Sequence, residues 1–208
     1  MVMILYGTIT ANVQRAILRP LLEAEVDIDN VLELKFMELF TFFDQKSPAH
    51  MAKNPFGQVP CLEVDSDFML FESRAIAKYF AEIYGHDQLL GKTVKERSII
   101  NQRMEVEGQN YTSIASPMVV ELFVSRFTKR PLDEAILAAG VPKLKPVFDV
   151  YKVQLTKHKY IAGDEFSHAD AYHTPSLDGL MEIKERIFTP DHPHVLAWAQ
   201  DLIARPAF

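Results

Sequence analysis

The chain has 208 residues, 22 basic and 28 acidic side chains, a net charge of −6 and one cysteine. This length suits one large or two small domains with an adequate core. The acidic balance argues against nucleic acid as the main partner, and a lone cysteine excludes an internal disulfide framework and fits a reducing compartment. Met1–Tyr6 is too short for a signal peptide, and no stretch approaches the roughly 20 apolar residues of a membrane span. A soluble cytoplasmic protein is expected.

Up to about residue 85, short apolar runs alternate with helical periods. Met3–Tyr6 reads as a strand, Val13, Ile17, Leu21 and Leu22 as one helical face, and the run from Val26 to Leu34 as a second strand. A less regular segment from Phe36 to Met51 follows. Cys61–Val64 and Phe68–Phe71 then read as a strand pair joined by Asp65-Ser66-Asp67. The next helix places Ile76, Tyr79, Phe80 and Ile83 on one side and stops at Gly85, a C′ glycine. This order describes a small mixed sheet with helices on its faces.

Beyond Gly91 only helical periods occur. Thr93 to about Phe127 is a long helical region, interrupted at Pro117, with Glu96, Arg97, Arg103, Glu105 and Glu107 on its wetter face. Leu144, Phe148, Tyr151 and Leu155 recur at helical spacing. Ser167-x-x-Asp170 has the form of a capping box. The last helix runs from Pro193 to Ala204. The predicted fold is an α/β domain over residues 1–84 followed by an all-α domain over 92–208.

The densest signal lies at Asn54-Pro55-Phe56-Gly57-Gln58-Val59-Pro60-Cys61-Leu62-Glu63 and Leu70-Phe71-Glu72-Ser73-Arg74-Ala75-Ile76. Gly57 permits close approach of backbone to a ligand, and the peptide before Pro60 is a candidate cis bond in a tight turn. Such a turn leaves the Val59 N–H and C=O available to an extended peptide. Ser73 is an expected N-cap whose first-turn N–H groups would hold a carboxylate, with Glu72 beside it for an ammonium. Cys61 reads as a small buried strand residue. The seven histidines show no metal-ligand spacing with acids, and no metal is expected.

These two segments resemble the N-terminal domain of the glutathione transferases, the phi class in particular. Tyr160-Ile161-Ala162-Gly163-Asp164 with Phe166-Ser167-His168-Ala169-Asp170 resembles the family's C-terminal motif. The resemblance implies a thioredoxin-like N-terminal domain and glutathione as co-substrate. It also implies attack of the glutathione thiolate on hydrophobic electrophiles, with peroxidase activity as an accompaniment, and a homodimer. A free thiol has a pKa near ~8.5, so a hydroxyl donor and a helix N-terminus beside the sulfur would favour the thiolate.

Carried onto this chain, the resemblance places Gln58 and Val59 against the peptide backbone of glutathione. Glu72 and Ser73 meet its γ-glutamyl amine and carboxylate, and Lys46, with Gln45 where the family has a histidine, its glycyl carboxylate. Pro60 is the cis-proline and Arg74 belongs to the dimer interface. In the phi class the activating hydroxyl is a serine, in a loop reading serine, any residue, asparagine, valine. Here the loop is Gly7-Thr8-Ile9-Thr10-Ala11-Asn12-Val13, one residue short and without serine. Thr10 is the expected catalytic hydroxyl; Ala11 or Asn12 faces the sulfur if the shorter loop shifts. Ile9, Phe36, Met118, Leu122 and Phe123 are candidates for the hydrophobic substrate site. Two other readings use the same residues: a non-catalytic carrier of glutathione or hydrophobic ligands, and the transferase-like module of a translation elongation factor.

Overall fold

Alternating apolar residues in Met3–Gly7 (β1) build the first strand, with Met3 and Leu5 buried and Ile4 and Tyr6 half-buried. The computed structural model describes residues 2–8, 17–18, 21–22, 25–39 and 42–205. The chain divides into two compact units, the first reaching to Asp87 and the second beginning at Gln88.

In the first unit, β1 pairs in parallel with Leu32–Phe36 (β2) and antiparallel with Cys61–Glu63 (β3), which pairs antiparallel with Met69–Phe71 (β4). The sheet order is β2-β1-β3-β4. The expected second strand starts later than its apolar run suggests. Ile28–Val31 forms a helical turn (α1), and the strand begins at Leu32, in register with Met3. In the turn between β3 and β4, Asp65 Oδ1 accepts from the backbone N–H groups of Asp67 and Phe68 at 2.8 and 2.9 Å. Asparagine and aspartate favour turns by this local bonding.

Pro48–Met51 (α2) is a single turn capped by Ser47, and Ser73–Ile83 (α3) packs its Ile76, Ala77, Phe80 and Ala81 face into the core with Leu5 and Leu62. Gly85 (φ +70°) ends α3 as expected. His86 N–H donates to Ala81 O at 2.8 Å, and Gly85 N–H to Glu82 O at 3.4 Å, the two bonds of a Schellman motif.

The second unit is helical: Val94–Val106 (α4), Ser113–Thr128 (α5), Glu134–Leu155 (α6), His168–Ala171 (α7), Thr174–Leu180 (α8) and Pro193–Ile203 (α9) carry its core. The long helical region is interrupted upstream of the expected place. Pro117 lies inside α5, whereas Glu107–Thr112 forms π-helix between α4 and α5. Lacking an N–H, Pro117 drops one α-helical hydrogen bond, and the wider turn accommodates the irregularity just before it.

The capping box at Ser167 and Asp170 is formed. The buried Asp170 carboxylate accepts from Ile161 N (3.0 Å), Ser167 N (3.1 Å), Ser167 Oγ (3.0 Å) and Trp198 Nε1 (2.9 Å), tying the loop before α7 to α9. Beside it, His173 Nδ1 donates to Ala169 O at 2.7 Å, which leaves Nε2 to accept from the Tyr151 hydroxyl at 2.8 Å. Among the described residues no helix is long and apolar enough to cross a membrane.

Candidate functional site

The first unit concentrates its irregular polar chemistry between residues 44 and 60. A 3-10 turn, Asp44–Lys46, leads into α2, where the Ser47 hydroxyl accepts from His50 N at 3.3 Å. Asn-Pro favours turn initiation, and Asn54 organises the turn that follows. Its Oδ1 accepts from Phe56 N (3.1 Å), its carbonyl from Gly57 N (2.8 Å), and its Nδ2 donates to Gln58 O (2.9 Å). His50 Nε2 donates to the same Gln58 carbonyl at 2.8 Å.

Gly57 is required by both conformation and space. Its φ is +56°, and a methyl group there would lie 2.8 Å from the Gln45 carbonyl and 2.9 Å from Lys46 Cδ. The sequence suggested close approach of a ligand; the close approach seen is that of Lys46, whose amine reaches over Gly57 to donate to Phe56 O at 3.1 Å. Gln45 donates from Nε2 to Leu39 O at 3.2 Å, while its buried Oε1 has no partner among the described residues.

The Val59–Pro60 peptide is cis. Pro60 is buried, Val59 half-buried and Gln58 exposed, so the turn presents Gln58 and Val59 outward. Val59 makes no hydrogen bond with any described residue. After β4 the chain reaches Glu72, whose φ of +70° is outside the range a non-glycine residue ordinarily adopts. Glu72, not Ser73, holds the N-cap position of α3, and Ser73 is its first residue. Glu72 is exposed, and its carboxylate has no partner among the described residues. The first-turn N–H groups of α3 face the same end, the positive pole of the helix dipole. Ser73 is buried, and Arg74 is half-buried.

One ionic cluster escaped the sequence reading. Lys53 Nζ and the Tyr6 hydroxyl both donate to Glu63 Oε2, at 2.6 and 2.7 Å. The Lys53 bond, followed by the Tyr6 bond, holds the Glu63 carboxyl below its ordinary range. Partial burial pushes the Tyr6 hydroxyl up, and the bond to Glu63 pushes the Lys53 ammonium up. The cluster fastens the residue immediately before Asn54 to β1 and β3. Its members lie up to 57 positions apart in sequence, so no local pattern could have revealed it. Cys61 is fully buried, and burial pushes its thiol up to about 11, which makes it inert as a nucleophile.

Thr10, Ile9, Ala11 and Asn12 lie outside the described residues. Of the other apolar candidates, Phe36 closes β2 at 71 % exposure. In the second unit, Met118 is buried against Gly140 of α6, and Leu122 is buried. Phe123 is 38 % exposed and stacked on Phe127 at 6.0 Å between ring centres. Among the described residues no group of three or more histidine, cysteine, aspartate or glutamate side chains is placed to hold a metal ion.

Two family models match the chain: "Glutathione S-transferase, N-terminal domain" over residues 1–82 and "Glutathione S-transferase, C-terminal domain" over 111–206. Glutathione S-transferase F11 of Arabidopsis thaliana is 35% identical over 211 residues, covering 100% of this chain and 96% of the relative. The crystal structure of glutathione transferase F7 from Populus trichocarpa superposes with a TM-score of 0.85 at 36% identity, covering 100% of this chain and 96% of that one. Maize glutathione S-transferase I, solved in complex with an atrazine glutathione conjugate, gives a TM-score of 0.81 at 34% identity, covering 100% and 94%.

Proposed function

The chain belongs to the glutathione S-transferase family and resembles its phi class; on that premise we propose how its own residues carry the transfer. Residues 1–84 bind glutathione, and residues 92–208 contribute the hydrophobic substrate site. The carrying observation is a pair of groups without partners among the described residues: the exposed Glu72 carboxylate at the start of α3 and the Val59 backbone in a pinned turn.

The γ-glutamyl ammonium pairs with Glu72, and its carboxylate takes the Ser73 hydroxyl and the first-turn N–H groups of α3. The cysteinyl backbone pairs with Val59, Gln58 contacts the peptide, and the glycyl carboxylate meets Lys46 with Gln45 beside it. Thr10 donates to the sulfur and favours the thiolate. Each unit by which the thiol pKa falls corresponds to about 1.4 kcal/mol of thiolate stabilisation. The thiolate then attacks a hydrophobic electrophile, displacing its leaving group, or reduces an organic hydroperoxide. Among the described apolar candidates, Phe36 and Phe123 are exposed, whereas Met118 and Leu122 are buried. The protein works as a cytoplasmic homodimer in detoxification, with Arg74 at the subunit interface. The glutathione conjugate held by the maize relative favours turnover over mere carriage.

The test is the ultraviolet absorbance of the thiolate in protein saturated with glutathione at neutral pH, paired with conjugation of a chlorinated dinitrobenzene. A thiolate band with turnover is expected. Binding with neither signal would make the protein a carrier.

A further inference from the structure

His50 is buried, at 3 % exposure, yet only one of its ring nitrogens is used. Nε2 lies 2.8 Å from Gln58 O, and since a carbonyl only accepts, Nε2 carries the proton. Nδ1 is buried and has no hydrogen-bond partner among the described residues. The ring also meets Tyr6 edge-on, 6.3 Å away between centres. The whole polar content of this side chain is therefore spent on one backbone oxygen. Asn54, equally buried, fills that oxygen's second lone pair at 2.9 Å.

The consequence follows from peptide geometry. The Gln58–Val59 peptide is a rigid plane in which the carbonyl oxygen and the next N–H point in opposite directions. Two buried donors that fix the oxygen thereby fix the direction of the Val59 N–H, which has no partner of its own among the described residues. Pro60 follows without an N–H and with φ restricted by its ring. The Val59 donor is thus aimed before any ligand arrives, and preorganisation of this kind spares the ordering cost of binding. We infer that His50 is a positioning residue for glutathione recognition, holding the Gln58–Val59 peptide so that the Val59 N–H meets the cysteinyl backbone. This rests on the binding role proposed above for Val59.

The coupling has a spectroscopic signature. When Val59 N–H donates to a ligand, its peptide polarises and Gln58 O becomes a stronger acceptor for His50. The Nε2 proton resonance of His50 in the wild-type protein should therefore move downfield on saturation with S-methylglutathione. An unmoved resonance overturns the inference, whatever the variants do.

The variants are H50L, which removes the donor, and H50Q, which keeps an N–H at comparable reach, with E72A as the control on the site itself. S-methylglutathione is the probe because its sulfur cannot ionise, so its affinity reports peptide recognition alone. H50L should bind it about five- to tenfold more weakly, as expected for one lost hydrogen bond. H50Q should return to within about twofold of wild type by the same reasoning. In turnover, H50L should raise KM for glutathione and leave KM for the electrophile unchanged. Wild-type affinity in H50L, or equal weakening in H50L and H50Q at equal melting temperature, overturns the inference. E72A separates the two levels: if it binds like wild type, the site reading fails, whereas weakened E72A beside unaffected H50L removes only the role of His50.

Discussion

Two polar clusters, one in each unit, differ in where their hydrogen bonds end. Around Asp170 in the helical unit, four donors converge on one carboxylate, and Tyr151 and the Ala169 carbonyl engage both ring nitrogens of His173. In the sheet unit, His50 and Asn54 hold the Gln58 carbonyl, while the Val59 backbone and the Glu72 carboxylate have no partner among the described residues. A closed network stabilises a fold; an open one presents groups to something else. The contrast sets residues that build this protein against residues proposed to meet a ligand, and mutation of each class should give opposite readouts.

The largest effect is expected at Asp170. D170A leaves several buried donors without an acceptor, at about 1–3 kcal/mol each, so a loss of at least about 3 kcal/mol should appear in thermal unfolding, with glutathione affinity retained by the folded fraction. E72A should do the reverse, weakening glutathione by about 1.5–3 kcal/mol for a lost charged hydrogen bond with the melting temperature unchanged; calorimetric titration reads the first and a thermal scan the second. G57A straddles the two classes. A positive φ and the crowding by Gln45 and Lys46 should cost about 1–3 kcal/mol of stability, and the displaced Lys46 should lower glutathione affinity as well. T10A should leave affinity nearly intact and lower turnover by about tenfold if it raises the bound thiol by one pKa unit; unchanged turnover would move the activating role to Asn12.

A finer test concerns pH. Burial raises the Asp170 carboxyl to about 6, against the hydrogen bonds that pull it down. An acid whose pKa is higher in the folded state takes its proton there first, so wild type should gain stability relative to D170N as pH falls from 6 towards 4. Denaturant unfolding of both proteins at pH 7 and pH 4 gives the sign. A gap moving the other way would mean that the four donors outweigh desolvation.

Much of this was legible in the chain because it is local. The C′ role of Gly85, the capping box at Ser167 and Asp170, and the turn at Val59–Pro60 each depend on residues within a few positions of one another. The start of β2 was misplaced because the apolar run around Val26 fits a helical turn as well as a strand, and only pairing with β1 decides where the strand begins. Ser73 was expected as a cap; the left-handed backbone at Glu72 moves the cap one residue back. Proline is visible in a sequence and points to Pro117 as the break in the long helical region, whereas a π-helix has no sequence signal of its own.

The sequence by itself determined the class of fold and singled out the residues proposed to meet a ligand, since glycine, proline, capping residues and apolar periodicity act through short-range sterics and bonding. Tertiary structure alone decided what steadies them. Lys53, Glu63 and Tyr6 meet through three segments of the sheet unit, and the turn at Asn54 brings Gln58 O back to His50. Such partners are fixed by distance in space, and a buried hydrogen bond leaves no periodicity in the chain that makes it.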